Sequence, residues 1–149
     1  MIYNHPNLDS GSNELIYALI ALDAAKVTPP SDAKWSKAEM IDKLLDFQNE
    51  NGGLGLNSNA SSDIDITAMA LQALAPYQSN QEVKQASDKA IGFLKNEIDK
   101  ISYGYGTAES NAQVILALAT LNMDAVESGF GTKYENLFSH LIENYAVEG

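Results

Sequence analysis

Two kinds of helix alternate along this chain when its hydrophobic positions are examined for spacing. The first kind is apolar on nearly every side and covers Leu15 to Ala25, Ile64 to Leu74 and Ala112 to Leu121, without a glycine or proline. The second kind is amphipathic, with apolar residues at i, i+3 and i+4, over about 37–48, 83–94 and 137–145. A helix without a polar face must be covered on several sides. We therefore expect an all-α fold in which inner apolar helices are covered by outer amphipathic ones.

Two markers repeat along the chain with nearly the same period. The segment Ala18–Leu22 returns as Ala70–Leu74 and as Val114–Leu118, at offsets of 52 and 44 residues. Gly53-Leu54-Gly55 recurs 51 residues later as Gly104-Tyr105-Gly106. A fixed period of this size is typical of helical repeats. We predict three helical hairpins in a single domain over 1–149, with repeats at about 13–55, 63–106 and 109–149.

Residues that start and stop helices flank the predicted segments. Proline cannot continue a helix, and glycine often ends one. We expect the inner helices to end at Pro29-Pro30 and Pro76, and an outer helix to end at Asn51-Gly52-Gly53. Small polar side chains favour the N-cap position. The predicted N-caps are Ser31-Asp32, Asp63 and Ser110.

The segments Leu44–Gly55 and Asp63–Tyr77 carry a family resemblance. The first contains Gln48-Asn49-Glu50-Asn51-Gly52-Gly53-Leu54-Gly55, and the pair resembles the repeats of the α/α-toroid in terpenoid cyclases and protein prenyltransferases. The repeats look most like those of large secreted or surface-anchored bacterial proteins. A complete toroid of that family has more hairpins than the three found here. The resemblance therefore implies a partial α/α-toroid, part of a larger toroid, with an extracellular or cell-surface location.

Asp63-Ile64-Asp65-Ile66-Thr67-Ala68 is the sharpest candidate for catalysis. It is similar to the Asp-x-Asp-Asp-Thr-Ala motif of class II terpene cyclases, which implies Asp65 as a general acid supported by Asp63. Ile66 stands where the motif has its third aspartate, which removes one member of the cluster that tunes the acid. The competing interpretation is helix capping, because Asn13 and Glu109 hold the same position in the other repeats.

Equivalent positions of a repeat protein share one rim, so polar residues at the starts of the inner helices should converge. The predicted ligand-binding residues are Glu14, Asp63, Asp65, Glu109, Ser110 and Gln113, and Asn13, Thr67 and Asn111 belong to the same rim. Convergent carboxylates suit a cation, a polyhydroxylated ligand or an amine better than a phosphate. If the chain has a functional site, we expect it at this rim, where the inner helices begin.

Composition excludes several function classes. With 20 acidic and 9 basic residues the formal charge is −11, which disfavours nucleic acid and anionic membranes as partners. No apolar segment is long enough to insert in a bilayer. The chain has no cysteine and only two histidines, His5 and His140, so a prenyltransferase zinc site and a thioester are excluded. We expect no metal and no cofactor.

The loop before Asp65 alternates oxygen-bearing residues from Asn57 onward, as a calcium loop does. The EF-hand pattern fails because Ser62 and Ala68 stand where it needs glycine and glutamate. An ordinary polar loop is the preferred interpretation, and loosely bound calcium is the alternative. Tyr103, Tyr105 and Phe130 lie in glycine-flanked loops, either as packing caps or, alternatively, as binding residues.

Two function classes follow from these observations. The first, which we favour, is a non-catalytic module that binds a ligand or a protein, or serves a structural role. The second is a fragment of a terpene-cyclase-like enzyme that uses Asp65. The partners are expected to be an unknown ligand or protein, together with a second copy or the missing part of the toroid.

The edges of the fragment predict self-association, because an incomplete ring leaves apolar side chains in water. The residues expected on the two open edges are Leu15, Ile16, Leu19 and Leu22 at one end and Val114, Ile115, Leu118 and Leu121 at the other.

Overall fold

A computed structural model describes residues 1–133 and 135–145, and within these ranges every regular element is helical. The α-helices are α1 (Ser12–Ala24), α2 (Lys37–Leu45), α3 (Ile64–Leu74), α4 (Gln81–Glu97), α5 (Ala108–Thr120) and α6 (Leu137–Tyr145). Two short 3₁₀ turns cover Ile2–Asn4 and Ala75–Tyr77. Extended pairing in the described part is limited to isolated bridges. The all-α prediction is confirmed, and the end of the third predicted repeat, 146–149, lies outside the described residues.

The odd-numbered helices form a series with α3 in the middle. Helix α3 packs against both α1 and α5, while α2 packs on α1, α4 on α3 and α6 on α5. Buried residues of α3 include Ala68, Ala70, Leu71, Ala73 and Leu74, none more than 2% exposed. Because α3 has neighbours on both sides and α4 behind it, it is the best-covered helix. No helix among the described residues has the length and apolar character needed to cross a membrane.

The N-caps are only partly those predicted. Asp63 caps α3, since its Oδ1 accepts a hydrogen bond from the Ile66 N–H at 2.9 Å. Helix α2 begins later than expected, at a capping box between Ser36 and Glu39, so the prediction of Ser31-Asp32 was wrong. Helix α5 is capped by Thr107, whose Oγ1 accepts from the Ser110 N–H at 3.0 Å. Ser110 therefore lies inside the first turn.

Two helices end earlier than their prolines and glycines suggested. Helix α1 ends at Ala24 because Lys26 takes a left-handed conformation (φ 54°) and the Val27 N–H returns to Leu22 O at 2.8 Å. Helix α2 ends at Leu45, well before Gly52. Gly52 instead has φ 90° in a tight turn, and a Cβ there would collide with the backbone of Lys89. This glycine lets the turn approach α4 closely.

The N-terminal segment covers the edge of α1 that was expected to be open. Tyr3 and Leu8 belong to the hydrophobic core, and the Trp35 N–H donates to Tyr3 O at 3.0 Å. The prediction for this edge was wrong, because Leu15, Ile16, Leu19 and Leu22 are at most 4% exposed. On α5, Val114 and Leu118 are buried, and Ile115 and Leu121 are half-buried. The large apolar side chains that remain exposed on α1, α3 and α5 are Tyr17 and Leu116.

Candidate functional site

A buried polar side chain fixes the start of each odd-numbered helix. In α3, Thr67 Oγ1 accepts from the Leu54 N–H at 2.9 Å and donates to Asp63 O at 2.6 Å. In α5, Asn111 Oδ1 accepts from the Tyr105 N–H at 3.0 Å, and its amide donates to Thr107 O at 2.8 Å. The two backbone donors, the Leu54 and Tyr105 N–H groups, belong to the central residues of the two Gly-x-Gly loops.

Helix α1 binds the same loop that anchors α3, but through different atoms. The Ser12 hydroxyl donates to Gly55 O at 2.9 Å, and its backbone N–H donates to Leu56 O at 3.0 Å. Ser12, Thr67 and Asn111 are fully buried, so each of these bonds is formed away from water. The Gly-x-Gly marker therefore recurs because it anchors the helix that carries the rim.

The second position of each odd-numbered helix is equivalent in all three repeats. The N-cap residues are Gly11, Asp63 and Thr107. Two residues further on stand Asn13, Asp65 and Glu109, which are the positions that the sequence aligned. A polar residue here is a feature of the repeat, since a side-chain oxygen near a helix N-terminus interacts favourably with the positive end of the dipole.

Two of these three positions meet in one groove between α1 and α3. The groove has a volume of about 520 Å³, and Asn13, Asp63 and Asp65 provide its amide and carboxylate groups. Its other lining residues are Tyr17, Leu56, Ala60, Ser61, Ser62, Ile66 and Met69. Polar acceptors thus lie beside an aromatic ring and aliphatic side chains, which is the usual make-up of a small-molecule site.

Two residues that line this groove each have a buried side-chain oxygen without a hydrogen-bond partner among the described residues, Asn13 Oδ1 and Asp65 Oδ1. A buried polar atom without a partner costs about 1–3 kcal/mol, and such atoms are rare in native proteins. Asp63 differs from Asp65, because Asp63 is exposed and its Oδ1 is used in the N-cap. The two aspartates of the motif therefore have separate roles, one structural and one unassigned.

The other predicted ligand-binding residues lie outside this groove. Glu14 is exposed and lines a neighbouring groove of about 370 Å³ with Ile2, His5, Leu8, Asn13 and Tyr17. Glu109 is exposed, and the Thr107 hydroxyl donates to Ser110 Oγ at 2.9 Å. Gln113 Oε1 accepts from Gln72 Nε2 at 2.9 Å, which joins α5 to α3. Of the six residues, the structure brings only Asp63 and Asp65 together.

The sequence missed the apolar wall of the groove. Tyr17 and Met69 are 52 residues apart, which is one repeat, so the periodicity could have shown that they hold equivalent positions. Leu56 and the 60–62 loop carried no comparable signal, because their place depends on how the loop folds back over α1. Two oxygens of the calcium-like loop are used locally: Asn57 Oδ1 accepts from the Asn59 N–H at 3.2 Å, and Asp63 Oδ1 caps α3. Among the described residues, no three histidine, aspartate or glutamate side chains are grouped to hold a metal ion.

The remaining candidates are structural in this fold. His140 Nδ1, on α6, lies 3.2 Å from Nδ2 of the buried Asn111. The His140 ring packs against Gly104. His140 is therefore half-buried and links α6 to the start of α5. Phe130 is fully buried, and the Tyr105 hydroxyl donates to Leu94 O at 2.6 Å, so the packing interpretation holds for both. Burial, and secondarily the charge of Glu97, raises the pKa of Tyr105.

Comparison with known proteins adds no relative. Protein-family models, curated protein sequences and solved structures were searched with this chain, and none of them matches it.

Proposed function

We propose that this chain is a non-catalytic binding module, a partial α/α-toroid whose groove between α1 and α3 takes a ligand that donates hydrogen bonds. The observation that carries the proposal is the pair of buried, unpartnered oxygens on Asn13 and Asp65. Both atoms accept hydrogen bonds, since an amide oxygen and an ionised carboxylate have no proton to give. A ligand with hydroxyl or amine donors provides what these atoms lack, once the two side chains rotate to present their oxygens to the groove.

The charge of Asp65 favours an amine over a neutral donor. A carboxylate forms stronger hydrogen bonds with a charged donor than with a neutral one. The positive end of the α3 dipole helps to tolerate the unpaired carboxylate when no ligand is bound. Around it, Tyr17 and Met69 offer an aromatic face and a flexible thioether to the apolar part of a ligand.

The cyclase alternative has less support from the same residues. A general acid of that kind needs a hydrogen-bonded carboxylate cluster, but Asp63 Oδ1 serves as a helix cap and Ile66, at the third position of the motif, is 8% exposed. Cyclases also stabilise carbocations with aromatic walls. Of the described residues, Tyr17 is the single aromatic side chain that lines this groove. Incubation with polyprenyl substrates tests this alternative, because product that is lost in Asp65→Asn would establish catalysis.

The partial toroid and the location are parts of the same proposal. The series α1, α3, α5 with α2, α4 and α6 packed on it supports a toroid segment. Export to the cell surface rests on the family resemblance alone. A leader or cell-wall anchor in the gene that encodes this chain would test it.

A binding titration tests the groove directly. We would follow backbone amide resonances of the chain while adding spermidine, an amine, or maltotriose, an uncharged polyol. We expect saturable shifts at Asn13, Tyr17, Asp65 and Met69 with spermidine, and weaker ones with maltotriose. Because the chain carries a net charge of −11, spermidine will also bind non-specifically. The pattern of shifts in matched variants therefore decides the outcome.

The matched control is provided by the repeat itself. Glu109 occupies on α5 the same position that Asp65 occupies on α3, but it is exposed and outside the groove. We expect Asp65→Ala to abolish the saturable shifts and Glu109→Ala to keep them. Equal shifts in both variants, spread over the acidic surface, would show attraction without a site and would refute the proposal.

A further inference from the structure

The side chain of Asn111, at the start of α5, is held in a single orientation. Its Oδ1 accepts from the Tyr105 N–H at 3.0 Å, and its Nδ2 donates to Thr107 O at 2.8 Å. Both partners are backbone groups whose roles as donor and acceptor are fixed, so exchanging the amide oxygen and nitrogen would lose both bonds. Because the side chain is fully buried, water would not replace them.

This orientation determines which ring nitrogen of His140 carries the proton. Nδ1 of His140 lies 3.2 Å from Nδ2 of Asn111, a nitrogen that donates and cannot accept. Nδ1 must therefore accept, and in the neutral ring the proton lies on Nε2. Protonation of Nδ1 would place two N–H donors face to face. The bond between α6 and α5 thus exists only while His140 is neutral.

Helix α6 is the least buried of the three helices that pack on the odd-numbered series. All nine of its residues are described, and Leu137 is the one that is buried, whereas α2 buries three of nine and α4 seven of seventeen. The His140 ring rests on Gly104, where a Cβ would collide with it. The contact made by His140 is therefore a large part of what attaches α6.

We propose that His140 makes the attachment of α6 pH-sensitive: the neutral ring holds α6 on the start of α5, and protonation releases it. Histidine changes its charge between about pH 5 and 8. Release uncovers Leu137 and the amide of Asn111, so the surface that the chain presents beside α5 differs between neutral and acidic solution. This inference does not depend on ligand binding in the groove between α1 and α3.

The groups that face the His140 ring come from three elements. Helix α5 presents the uncharged Asn111, and α6 itself presents the ring of Tyr145, whose centroid lies 5.8 Å from that of His140. The turn before Gly104 presents Asp99, whose charge interacts with that of His140. A protonated ring that loses its bond to Asn111 is therefore attracted towards a carboxylate.

Asp99 is ionised over the whole range in which histidine titrates. The N–H groups of Ser102 and Ile101 donate to its Oδ1 at 2.6 and 2.9 Å. These bonds, and to a smaller extent the charge of His140, hold the pKa of Asp99 below its usual range. Because acid removes the acceptor that Asn111 needs and creates a charge that Asp99 attracts, the attachment of α6 is present in neutral solution and is lost as pH falls.

Hydrogen exchange of the α6 backbone amides measures the release. We would compare protection factors, corrected for the intrinsic pH dependence of exchange, at about pH 8 and about pH 5. We expect protection over 141–145 to fall about tenfold in acid, as for one lost hydrogen bond. The amides of α4 serve as the internal reference and should keep their protection, because no histidine lies on that helix.

The second histidine of the chain provides the matched control. His5→Gln removes a ring in the N-terminal segment, and His140→Gln removes the ring on α6. We expect the acid-dependent loss of protection to persist in the first variant and to disappear in the second. Asp99→Asn keeps an oxygen for the Ser102 and Ile101 N–H groups but removes the charge, so release should require a lower pH.

The tautomer of His140 can be measured in the unmodified chain, without any variant that must fold. Nitrogen chemical shifts of the ring should show Nδ1 unprotonated and Nε2 protonated at about pH 8. A proton on Nδ1 at that pH would overturn the proposal. So would an acid-dependent loss of α6 protection that is equal in His140→Gln and His5→Gln, or α6 protection in the unmodified chain that does not change with pH.

Discussion

Two aspartates on the odd-numbered helices, Asp23 near the end of α1 and Asp65 at the start of α3, have opposite surroundings. Asp23 Oδ1 accepts from Lys37 Nζ at 2.6 Å, and the Tyr77 hydroxyl lies 2.9 Å from each of its carboxylate oxygens. Asp65 Oδ1 is buried without a partner. The side chains of Asp23 and Lys37 are 26% and 22% exposed, so this ion pair is substantially buried.

Asp23 is a structural carboxylate, whereas Asp65 is a carboxylate available to a ligand. Asp23 lies near the negative end of the α1 dipole, where an unpaired carboxylate would be destabilised, and it is paired with a cation and a hydroxyl. Those bonds join the end of α1 to the start of α2 and to the turn after α3. Asp65 lies at a positive helix end, where the backbone itself tolerates the charge. Only the second arrangement leaves an acceptor for a ligand.

The largest effect is expected from Asp23→Ala. Removing this carboxylate leaves Lys37 and Tyr77 without their partner, so the free energy of unfolding should fall by about 1.5–3 kcal/mol, as for lost bonds to charged groups. Urea denaturation measures the change. Asp46→Ala is the control, because Asp46 pairs with Lys43 on the exposed surface and should show no resolvable loss. Equal losses in the two variants would mean that Asp23 is not a structural link.

A smaller effect is expected from Tyr77→Phe, and it should depend on pH. Burial, followed by the hydrogen bond and charge of Asp23, raises the pKa of Tyr77 above its ordinary value. A raised folded-state pKa means that the contribution to stability is complete below about pH 10 and is lost as pH rises further.

The substitution should cost about 1.5 kcal/mol at neutral pH, the lower limit for a bond to a charged group, because Asp23 keeps its ion pair with Lys37. It should also reduce the loss of stability above about pH 10, which Tyr105 will still show because its pKa is raised as well. Denaturation curves across the alkaline range provide the test. An alkaline loss that is unchanged by Tyr77→Phe would contradict the assigned environment.

The sequence predicted the fold better than the site, and the residues show why. Apolar periodicity predicted the helices around Ile64–Leu74 almost to the residue, since intrinsic propensity and burial agree there. Helix ends were less predictable: Lys26 ends α1 in a left-handed conformation that lysine rarely adopts. The covering of α1 by Tyr3 and Leu8 involves residues outside the repeat, so periodicity could not reveal it.

At the site, repeat alignment predicted the equivalence of Asn13, Asp65 and Glu109 but not their different environments. Which member is half-buried depends on the loop from Leu56 to Ser62, which lines the groove between α1 and α3. Before α5 only Thr107 separates Gly106 from the helix. Loop packing of this kind is set by tertiary contacts, which a one-dimensional pattern does not contain. The distinction between Asp23 and Asp65 depends on such contacts too.

The smallest effect is expected from Asp65→Ala compared with Glu109→Ala, and the sign of the change in the free energy of unfolding is what matters. Both substitutions remove a carboxylate from the second position of a helix, so both lose about 0.3–1 kcal/mol of interaction with the dipole. Asp65→Ala also removes a buried, unpartnered oxygen that costs about 1–3 kcal/mol. Its free energy of unfolding should therefore stay the same or rise, while that of Glu109→Ala should fall slightly. Residues kept for binding often lower stability in this way. Urea denaturation without ligand measures both variants. A clear loss of stability in Asp65→Ala would mean that Asp65 is a structural residue like Asp23.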